Sequence, residues 1–275
     1  MEQQPADELL VAVDGTGDER GVLSIAQHLA RRDRINARVI RVENQSGESA
    51  AKMLSHASRK DHTRLVLVPL PEPGEKRVAA LDTLVAIAKA VDVPILAVPR
   101  HQERLPVRVL VATDFSSGSA RAARAALSVM GPRGLLTLLY VEPEIDDAPP
   151  WHRRRRSASA IGIARLLKRL RRGLEDKARN SPVLHRRRSS VVKLTVALRG
   201  EPATTILDYA AKHRNDLIVI GTRRRVPAGN TMRLGSVSMH VLGAAHCGVL
   251  VAQPIVARRL RRLTDPFFRA HHAAT

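Results

Sequence analysis

Short runs of aliphatic residues alternate with segments of helical period along most of the chain. Most of these runs are apolar at every position, which is typical of strands that are covered by helices on both faces. The predicted strands are residues 9–13, 38–42, 65–68, 95–98, 107–113, 135–141, 191–197, 217–220 and 249–252. This alternation predicts an α/β fold built on open, doubly wound parallel sheets.

The pattern repeats at an offset of 100 residues. Residues 9–15 read LLVAVDG and residues 109–115 read VLVATDF, and each run is followed by small polar residues and a helical pattern. The closing strands also agree, since residues 93–99 read VPILAVP and residues 248–254 read GVLVAQP. Self-similarity at a fixed offset predicts two related domains, each opening and closing with a buried strand.

The net charge of the chain also changes at about residue 100. Residues 1–100 contain 14 Lys and Arg against 14 Asp and Glu, whereas the remainder contains 32 against 12, so the net charge of +20 lies wholly in the second part. We therefore predict a shortened first domain over residues 1–100, a second domain over residues 101–254, and a basic tail over residues 255–275.

A basic segment interrupts the second domain over residues 149–190, with arginine clusters at 153–156 and 186–188. Its apolar residues keep helical spacing: Ile163, Leu166, Leu167, Leu170 and Leu174. The simplest interpretation is a helical insertion on the surface, whose apolar stripe packs on the sheet while the arginines stay solvated. The alternative is a face for nucleic acid or membrane.

The remaining composition narrows the choice of function. A single cysteine, Cys247, excludes an internal disulfide framework, and His240, His246 and Cys247 lack zinc-site spacing, so we expect no metal site. No apolar run reaches the ~18 residues of a membrane span, and the N-terminal residues are unlike a signal peptide. We therefore expect a cytoplasmic protein without a membrane partner.

The sequence shows no serine or cysteine nucleophile that its spacing pairs with a general base, so we do not expect an enzyme.

Candidate binding residues follow two strands of the second domain. Asp114 ends a strand and precedes a loop of serines and glycine, where its carboxylate can accept hydrogen bonds from a ribose or an adenine amine, or simply cap the next helix. Gly221 ends another strand, and residues 235–238, Gly-Ser-Val-Ser, then open a helix with exposed amides and hydroxyls. That arrangement favours phosphate groups.

These segments resemble the universal stress protein family in its tandem form. The resemblance rests on VLVATDFS (109–116), LYVEP (139–143), residues 200–222 and LGSVSMHVLGAAHCGVLVAQP (234–254). It implies five-stranded parallel sheets flanked by helices, and it covers most of residues 7–254. Some members of the family bind ATP through a G-x2-G-x9-G-(S/T) motif after the fourth strand, and others lack the motif and bind no nucleotide.

Carried over by position, the resemblance implies a site for ATP, with Mg, in the second domain. The residues it assigns to adenine and ribose are Ala112, Thr113, Asp114 and Val141. Those it assigns to the phosphates are Gly221, Gly235, Ser236, Val237 and Ser238. Arg224 stands where the motif has its second glycine, and ten residues rather than nine separate it from Gly235. The loop must therefore run differently, with the arginines at 223–225 offering replacement positive charge.

The first domain departs further from the family pattern. It keeps Asp14, but residues 69–74 read PLPEPG and no glycine-serine helix start follows. We read it as a degenerate partner. By resemblance, the two domains pair through their last strands, 95–98 and 249–252, so that the chain is its own pseudo-dimer. The sequence is also compatible with a homodimer of two such chains.

Three functions are compatible with this sequence. The leading hypothesis is a stress-response protein whose second domain binds ATP or a related nucleotide as a regulatory ligand. The rival is sequence-nonspecific binding of nucleic acid or another polyanion through the arginine-rich second domain, although the six aromatic residues of the chain are scattered rather than grouped for base stacking. The third is a ligand-free scaffold for a protein partner.

Overall fold

A computed structural model describes residues 7–13, 15, 19–42, 46–60, 62–71, 77–143, 160–181, 191–222 and 234–252. Several of the predictions above fall outside these ranges. They are the ones concerning Asp14, Arg224, the arginine clusters at 153–156 and 186–188, and the tail over 255–275.

The described residues form nine strands and seven helices. The strands are β1 (Glu8–Val13), β2 (Asn36–Arg41), β3 (Thr63–Leu70), β4 (Ile95–Pro99), β5 (Arg108–Ala112), β6 (Leu135–Glu142), β7 (Val192–Arg199), β8 (Leu217–Gly221) and β9 (Gly248–Ala252). The helices are α1 (Arg20–Asp33), α2 (Gly47–Lys60), α3 (Arg77–Ala90), α4 (Ser117–Val129), α5 (Ala160–Arg179), α6 (Pro202–Lys212) and α7 (Ser236–Ala244). None of these helices combines the length and the apolar character that a membrane crossing requires.

All nine strands belong to one sheet, in the order β2-β1-β3-β4-β9-β8-β5-β6-β7. Every neighbouring pair is parallel except β4 and β9, which pair antiparallel with Leu96 opposite Leu250. The prediction of two separate sheets is therefore wrong, although the two last strands do lie side by side. Pairing them satisfies backbone groups that would otherwise be left open along two fully buried strands.

The two halves of the sheet follow one plan. The first half (β1 to β4) has the order β2-β1-β3-β4, and the second half (β5 to β9) has the matching order β6-β5-β8-β9 with β7 added outside β6. The first half thus lacks the outermost strand. The backbone repeats as well, since Gly15 and Phe115, 100 residues apart, both have positive φ, 75° and 60°.

Helices cover both faces of the sheet. Helices α1, α4 and α5 pack on the face to which Leu9 and Val11 point, and α2, α3, α6 and α7 pack on the face to which Leu10 and Ala12 point. Strand residues alternate between these two cores, as the period of a strand requires. Each core contains residues of both halves, so neither half has a core of its own.

Arg32 joins the two halves at the end of α1. Its guanidinium donates hydrogen bonds to the carbonyl oxygens of Met130, at 2.9 Å, and of Ser128, where α4 ends. These carbonyls lie at a helix C-terminus, where a cation is favoured. Asp33 pairs with the same guanidinium and holds it in place. The contact therefore adds a polar connection between the two halves to the antiparallel pairing of β4 with β9, which we call the β4 and β9 seam.

Helix α5 is the basic helix predicted between the arginine clusters. It connects β6 to its parallel neighbour β7, so it is a crossover of the sheet rather than an insertion into it. Its buried residues include Ile163, Leu167 and Leu174, as expected. Leu166, which the periodicity also assigned to the packed stripe, is 39% exposed because it lies at the edge of that stripe.

Candidate functional site

Strand β5 lies where the strand order of the second half reverses. It pairs with β6 on one side and with β8 on the other, so the connections after β5 and β8 leave in opposite directions. Val111 pairs with Val219, which puts Gly221 level with Thr113. Such a switch point opens a crevice beyond the carboxyl ends of the strands, where ligands of α/β proteins bind. Most of the predicted site residues that the structure describes border this crevice.

The crevice has an apolar wall on the side of α6 and α7. Val141, which is 8% exposed, belongs to the core on this face, and Ala112 and Val237 are partly buried against the same core. Three of the predicted residues, from β5, β6 and α7, therefore lie on the same face of the sheet. A flat apolar group such as a base can pack on this wall.

Thr113 points away from the crevice. Its side chain is 5% exposed, and its hydroxyl lies 3.1 Å from the Ser119 hydroxyl and accepts a hydrogen bond from the Phe115 amide at 3.1 Å. Both partners belong to the β5–α4 connection or to α4, on the opposite face of the sheet. A contact from Thr113 to a ligand in the crevice must therefore come from its backbone.

Asp114 lies at the mouth of the crevice with its side chain exposed. One carboxylate oxygen accepts a hydrogen bond from the Ser116 amide at 3.0 Å, which tightens the loop. The N-cap of α4 is Ser116, whose hydroxyl accepts from the Ser119 amide at 3.2 Å. Capping of the helix is thus done by Ser116, and Asp114 orients the loop while presenting a carboxylate to solvent.

Two glycines let the first turn of α4 approach the end of β8. A Cβ on Gly118 would lie 2.7 Å from the Thr222 carbonyl oxygen, and one on Gly221 would lie 2.5 Å from the Gly118 carbonyl carbon. Any side chain at either position would separate the two elements. The sequence analysis missed Gly118, Ser119 and Thr222 as residues that shape the site. The glycine in the first turn of a predicted helix was the available signal.

Helix α7 opens toward solvent at Gly235. Gly235 is the N-cap and provides no side-chain hydrogen bond to the amides of the first turn. A Cβ at this position would have no described atom within 4 Å. Ser236 is exposed, whereas Ser238 is buried. Uncapped amides at a helix N-terminus attract anions, because the helix dipole and the N–H groups act together.

The predicted absence of a metal site rests on His240, His246 and Cys247. Burial raises the pKa of the Cys247 thiol to about 12, with the nearby carboxylate of Asp216 acting in the same direction. Both histidines are exposed. Within the part of the chain that the structure describes, no three His, Cys, Asp or Glu side chains are grouped as metal ligands.

A model of the universal stress protein family matches residues 107–253, which include the crevice and all the predicted site residues. The chain belongs to the universal stress protein family. Universal stress protein MJ0531 of Methanocaldococcus jannaschii is 31% identical over 156 residues, which cover 56% of this chain and 86% of that protein.

Two solved structures of universal stress proteins are among those similar to this chain. A universal stress protein from Archaeoglobus fulgidus DSM 4304 covers 91% of this chain and 97% of its own, with a TM-score of 0.56 and 15% identity. A universal stress protein family protein from Arabidopsis thaliana, solved with AMP bound, covers 59% of this chain and 99% of its own, with a TM-score of 0.39 and 20% identity.

Proposed function

We propose that this universal stress protein binds ATP or a related adenine nucleotide in the crevice between β5, β8 and α7 of its second half. The observation that carries the proposal is the uncapped start of α7, which faces solvent beside an apolar wall at the switch point of the sheet. An anionic group and a flat apolar group can thus be bound side by side. That pairing of chemistries is the one a nucleotide offers.

The phosphate end of the proposed site is supported by the first turn of α7. Among the described residues no side chain caps the amides at Ser236 and Val237, and Gly235 leaves room for an anion to approach the backbone. A charge-assisted hydrogen bond contributes roughly 1.5–3 kcal/mol, so two or three give useful affinity. Arg224 and Mg are part of the same proposal, as further positive charge on the phosphates.

The nucleoside end is supported by Asp114 and the apolar wall. Adenine would pack on Ala112, Val141 and Val237, and the ribose hydroxyls would donate to the exposed Asp114 carboxylate. Thr113 would contribute only backbone, because its hydroxyl is already bonded on the far face. The base and the ribose therefore meet different residues from the phosphates, which allows the two ends to be tested separately.

We propose that the nucleotide is a regulatory ligand rather than a substrate. Ser236 and Ser238 are the hydroxyls nearest the proposed phosphates, and no described His, Asp or Glu is hydrogen-bonded to either of them. Binding to the folded state alone stabilises the protein by mass action, by about 2.7 kcal/mol when ligand exceeds its dissociation constant a hundredfold.

We also infer that the first half is a degenerate copy of the same domain. The matching strand order and the repeated positive φ support a duplication. In the first half, the Gly15 amide donates to the Glu19 side chain at 2.5 Å, so a carboxylate lies in the loop that corresponds to the β5–α4 connection. After β3, residues 69–74 read PLPEPG and no Gly-Ser helix start like that of α7 follows in the sequence, so the nucleotide is expected in the second half alone.

Calorimetric titration of the full chain with Mg-ATP, AMP and adenosine tests the proposal. We expect ATP and AMP to bind more tightly than adenosine, because only the nucleotides reach the amides of α7. AMP is included because it is the ligand in the Arabidopsis thaliana structure. Absence of heat with all three compounds at millimolar concentration, together with an unchanged melting temperature, would remove the proposal.

Gly235→Asp separates binding from folding. Aspartate is a good N-cap, so the variant should melt at the same temperature as the native protein or higher, while its carboxylate occupies the amides and repels phosphate. We expect ATP and AMP binding to weaken more than about tenfold, and adenosine binding to change little. Gly235→Ala is the matched control, since its Cβ has open space and no charge.

A second candidate function, nonspecific binding of nucleic acid or another polyanion, is favoured by the outer face of α5. Arg165, Arg169 and Arg172 are exposed there and pair with no carboxylate of the described residues. Both carboxylates of the helix are otherwise engaged. The Glu175 carboxylate accepts hydrogen bonds from the backbone amides of Val191 and Val192, at 3.0 and 2.8 Å. Asp176 forms an ion pair with Arg179.

A salt series with a DNA duplex decides between the two candidates. With about six phosphate contacts, affinity should fall roughly a thousandfold between 50 and 200 mM salt, whatever the sequence. Arg165→Glu combined with Arg172→Glu should weaken binding further and leave ATP binding unchanged. Failure of duplex binding at the lowest salt would eliminate this candidate. Failure of nucleotide and duplex together would leave the scaffold function.

A further inference from the structure

A groove of about 610 Å³ runs between α5 and strands β6 and β7. It lies on the face of the sheet that α1, α4 and α5 cover, which is opposite to the apolar wall of the proposed nucleotide site. Tyr140 and Val141, adjacent on β6, point to these two different faces. The groove is therefore a separate cavity, and its volume is within the usual range for small-ligand sites.

Apolar side chains form the floor of the groove. Ile163 and Leu167 of α5 are buried there, and Ala197 of β7, which pairs with Tyr140 in the sheet, is exposed on the same face. Tyr140 provides one wall, and its ring lies 4.8 Å from the Phe115 ring at 31°, which holds it in position. Tyr140 and Ala197 leave apolar surface open to the groove, which favours an apolar ligand body of matching size.

Cations border the same groove. Lys168 and Arg171 line it from α5, and Arg199 lines it from β7. One carboxylate, Glu142, also lines it, and this group is paired with Arg199 at 3.0 Å. Lys168 has no ion pair or hydrogen bond to any described residue, so its ammonium is available to a ligand. The net charge around the groove is positive, which favours an anion.

The geometry points to a binding site for a small amphipathic anion in this groove, with an apolar body on Tyr140, Leu167 and Ala197 and an anionic group at Lys168 and Arg171. A free carboxylate with a hydrocarbon chain is the ligand class that fits. The site is independent of the proposed nucleotide function, because the two cavities lie on opposite faces of the sheet and share no predicted ligand contact.

Calorimetric titration of the full chain with dodecanoate, below its micelle-forming concentration, tests this site. Dodecyltrimethylammonium has the same chain with the opposite charge, and it should bind at least about tenfold more weakly. A titration that gives no saturable heat with dodecanoate, or equal affinity for the two compounds, would overturn the proposal. ATP binding is measured on the same samples, so failure at one site is recognised independently of the other.

Two variants test the location. Ala164→Trp places a large ring in the groove from an exposed helix position and should abolish dodecanoate binding. Lys168→Glu should weaken it roughly tenfold or more, since it replaces a charge-assisted contact by repulsion. Arg165→Glu is the matched control, with the same charge change on the outer face of the same helix. Circular dichroism and melting temperature establish that each variant is folded.

Equal effects of Lys168→Glu and Arg165→Glu would mean that dodecanoate responds to overall charge, and the assignment to this groove would be wrong. Unchanged binding in a folded Ala164→Trp variant would contradict it as well. Loss of binding in Ala164→Trp and Lys168→Glu with retention in Arg165→Glu is the result that the geometry predicts.

Discussion

Adjacent residues at the end of β5 have opposite roles. Ala112 is on the face of the crevice where we propose that a nucleotide binds, whereas Thr113 is buried on the other face against Ser119. The period of a strand predicts this alternation, yet the family resemblance assigned both residues to the ligand without distinguishing side chain from backbone. The sequence also predicted Asp114 as a ligand or a helix cap, and the hydrogen bond of Ser116 to Ser119 removes the second role. The roles of single residues at this site therefore could not be predicted from the sequence alone.

Cys247 allows a prediction at this scale. Burial raises the pKa of its thiol to about 12 and leaves the residue 6% exposed, so almost no thiolate is present at pH 8 and reagents cannot reach it. We expect a maleimide or disulfide reagent to modify the native protein negligibly and the guanidinium-unfolded protein completely, as followed by mass spectrometry. Rapid stoichiometric modification of the native protein would contradict the burial described here.

At the scale of elements, most of the fold was predictable from pattern. All nine predicted strands are present, because an unbroken apolar run flanked by turns is a strong local signal. The ends of the strands were predicted less accurately. The sequence predicted that β3 ends at residue 68, whereas the strand continues to Leu70, because Pro69 is paired with Val98 of β4. The close approach of α4 to β8 could not be predicted, because it depends on residues distant in sequence.

That close approach gives a prediction on glycine substitutions. Gly118→Ala should lower the free energy of unfolding by about 1–3 kcal/mol, because its Cβ would lie 2.7 Å from the Thr222 carbonyl oxygen and the backbone must shift. Gly173→Ala, in the exposed middle of α5 with no described atom within 4 Å of its Cβ, should raise it by about 0.5–1 kcal/mol. Guanidinium unfolding curves measure both. Equal effects of the two substitutions would contradict the described packing.

At the scale of the whole molecule, the β4 and β9 seam is the feature that the sequence predicted incompletely. Each strand was expected at the boundary of its own sheet, and the family resemblance implied that the two strands face one another. The single sheet follows from edge-to-edge hydrogen bonding, and local sequence carries little information about which edges meet. Both cores extend across the seam, so the halves depend on one another.

We therefore expect the described fold to unfold in one transition. Leu96 of β4 is 1% exposed and pairs with Leu250, and Leu96→Ala should cost about 2–5 kcal/mol. Exposure of Cys247 and loss of amide protection in β1 should share one guanidinium midpoint, and the variant should lower both equally. Two separated midpoints, with only the β1 probe affected by the variant, would show that the halves fold independently.

Hydrogen exchange of the full chain with and without saturating Mg-ATP tests the nucleotide site most directly, because it reports where a ligand lies as well as whether it binds. The predicted result is slower exchange in peptides covering residues 109–119 and 234–242, with no change in the corresponding first-half peptide over residues 8–20. Unchanged exchange in the two second-half segments, or protection confined to the first half, would contradict the account.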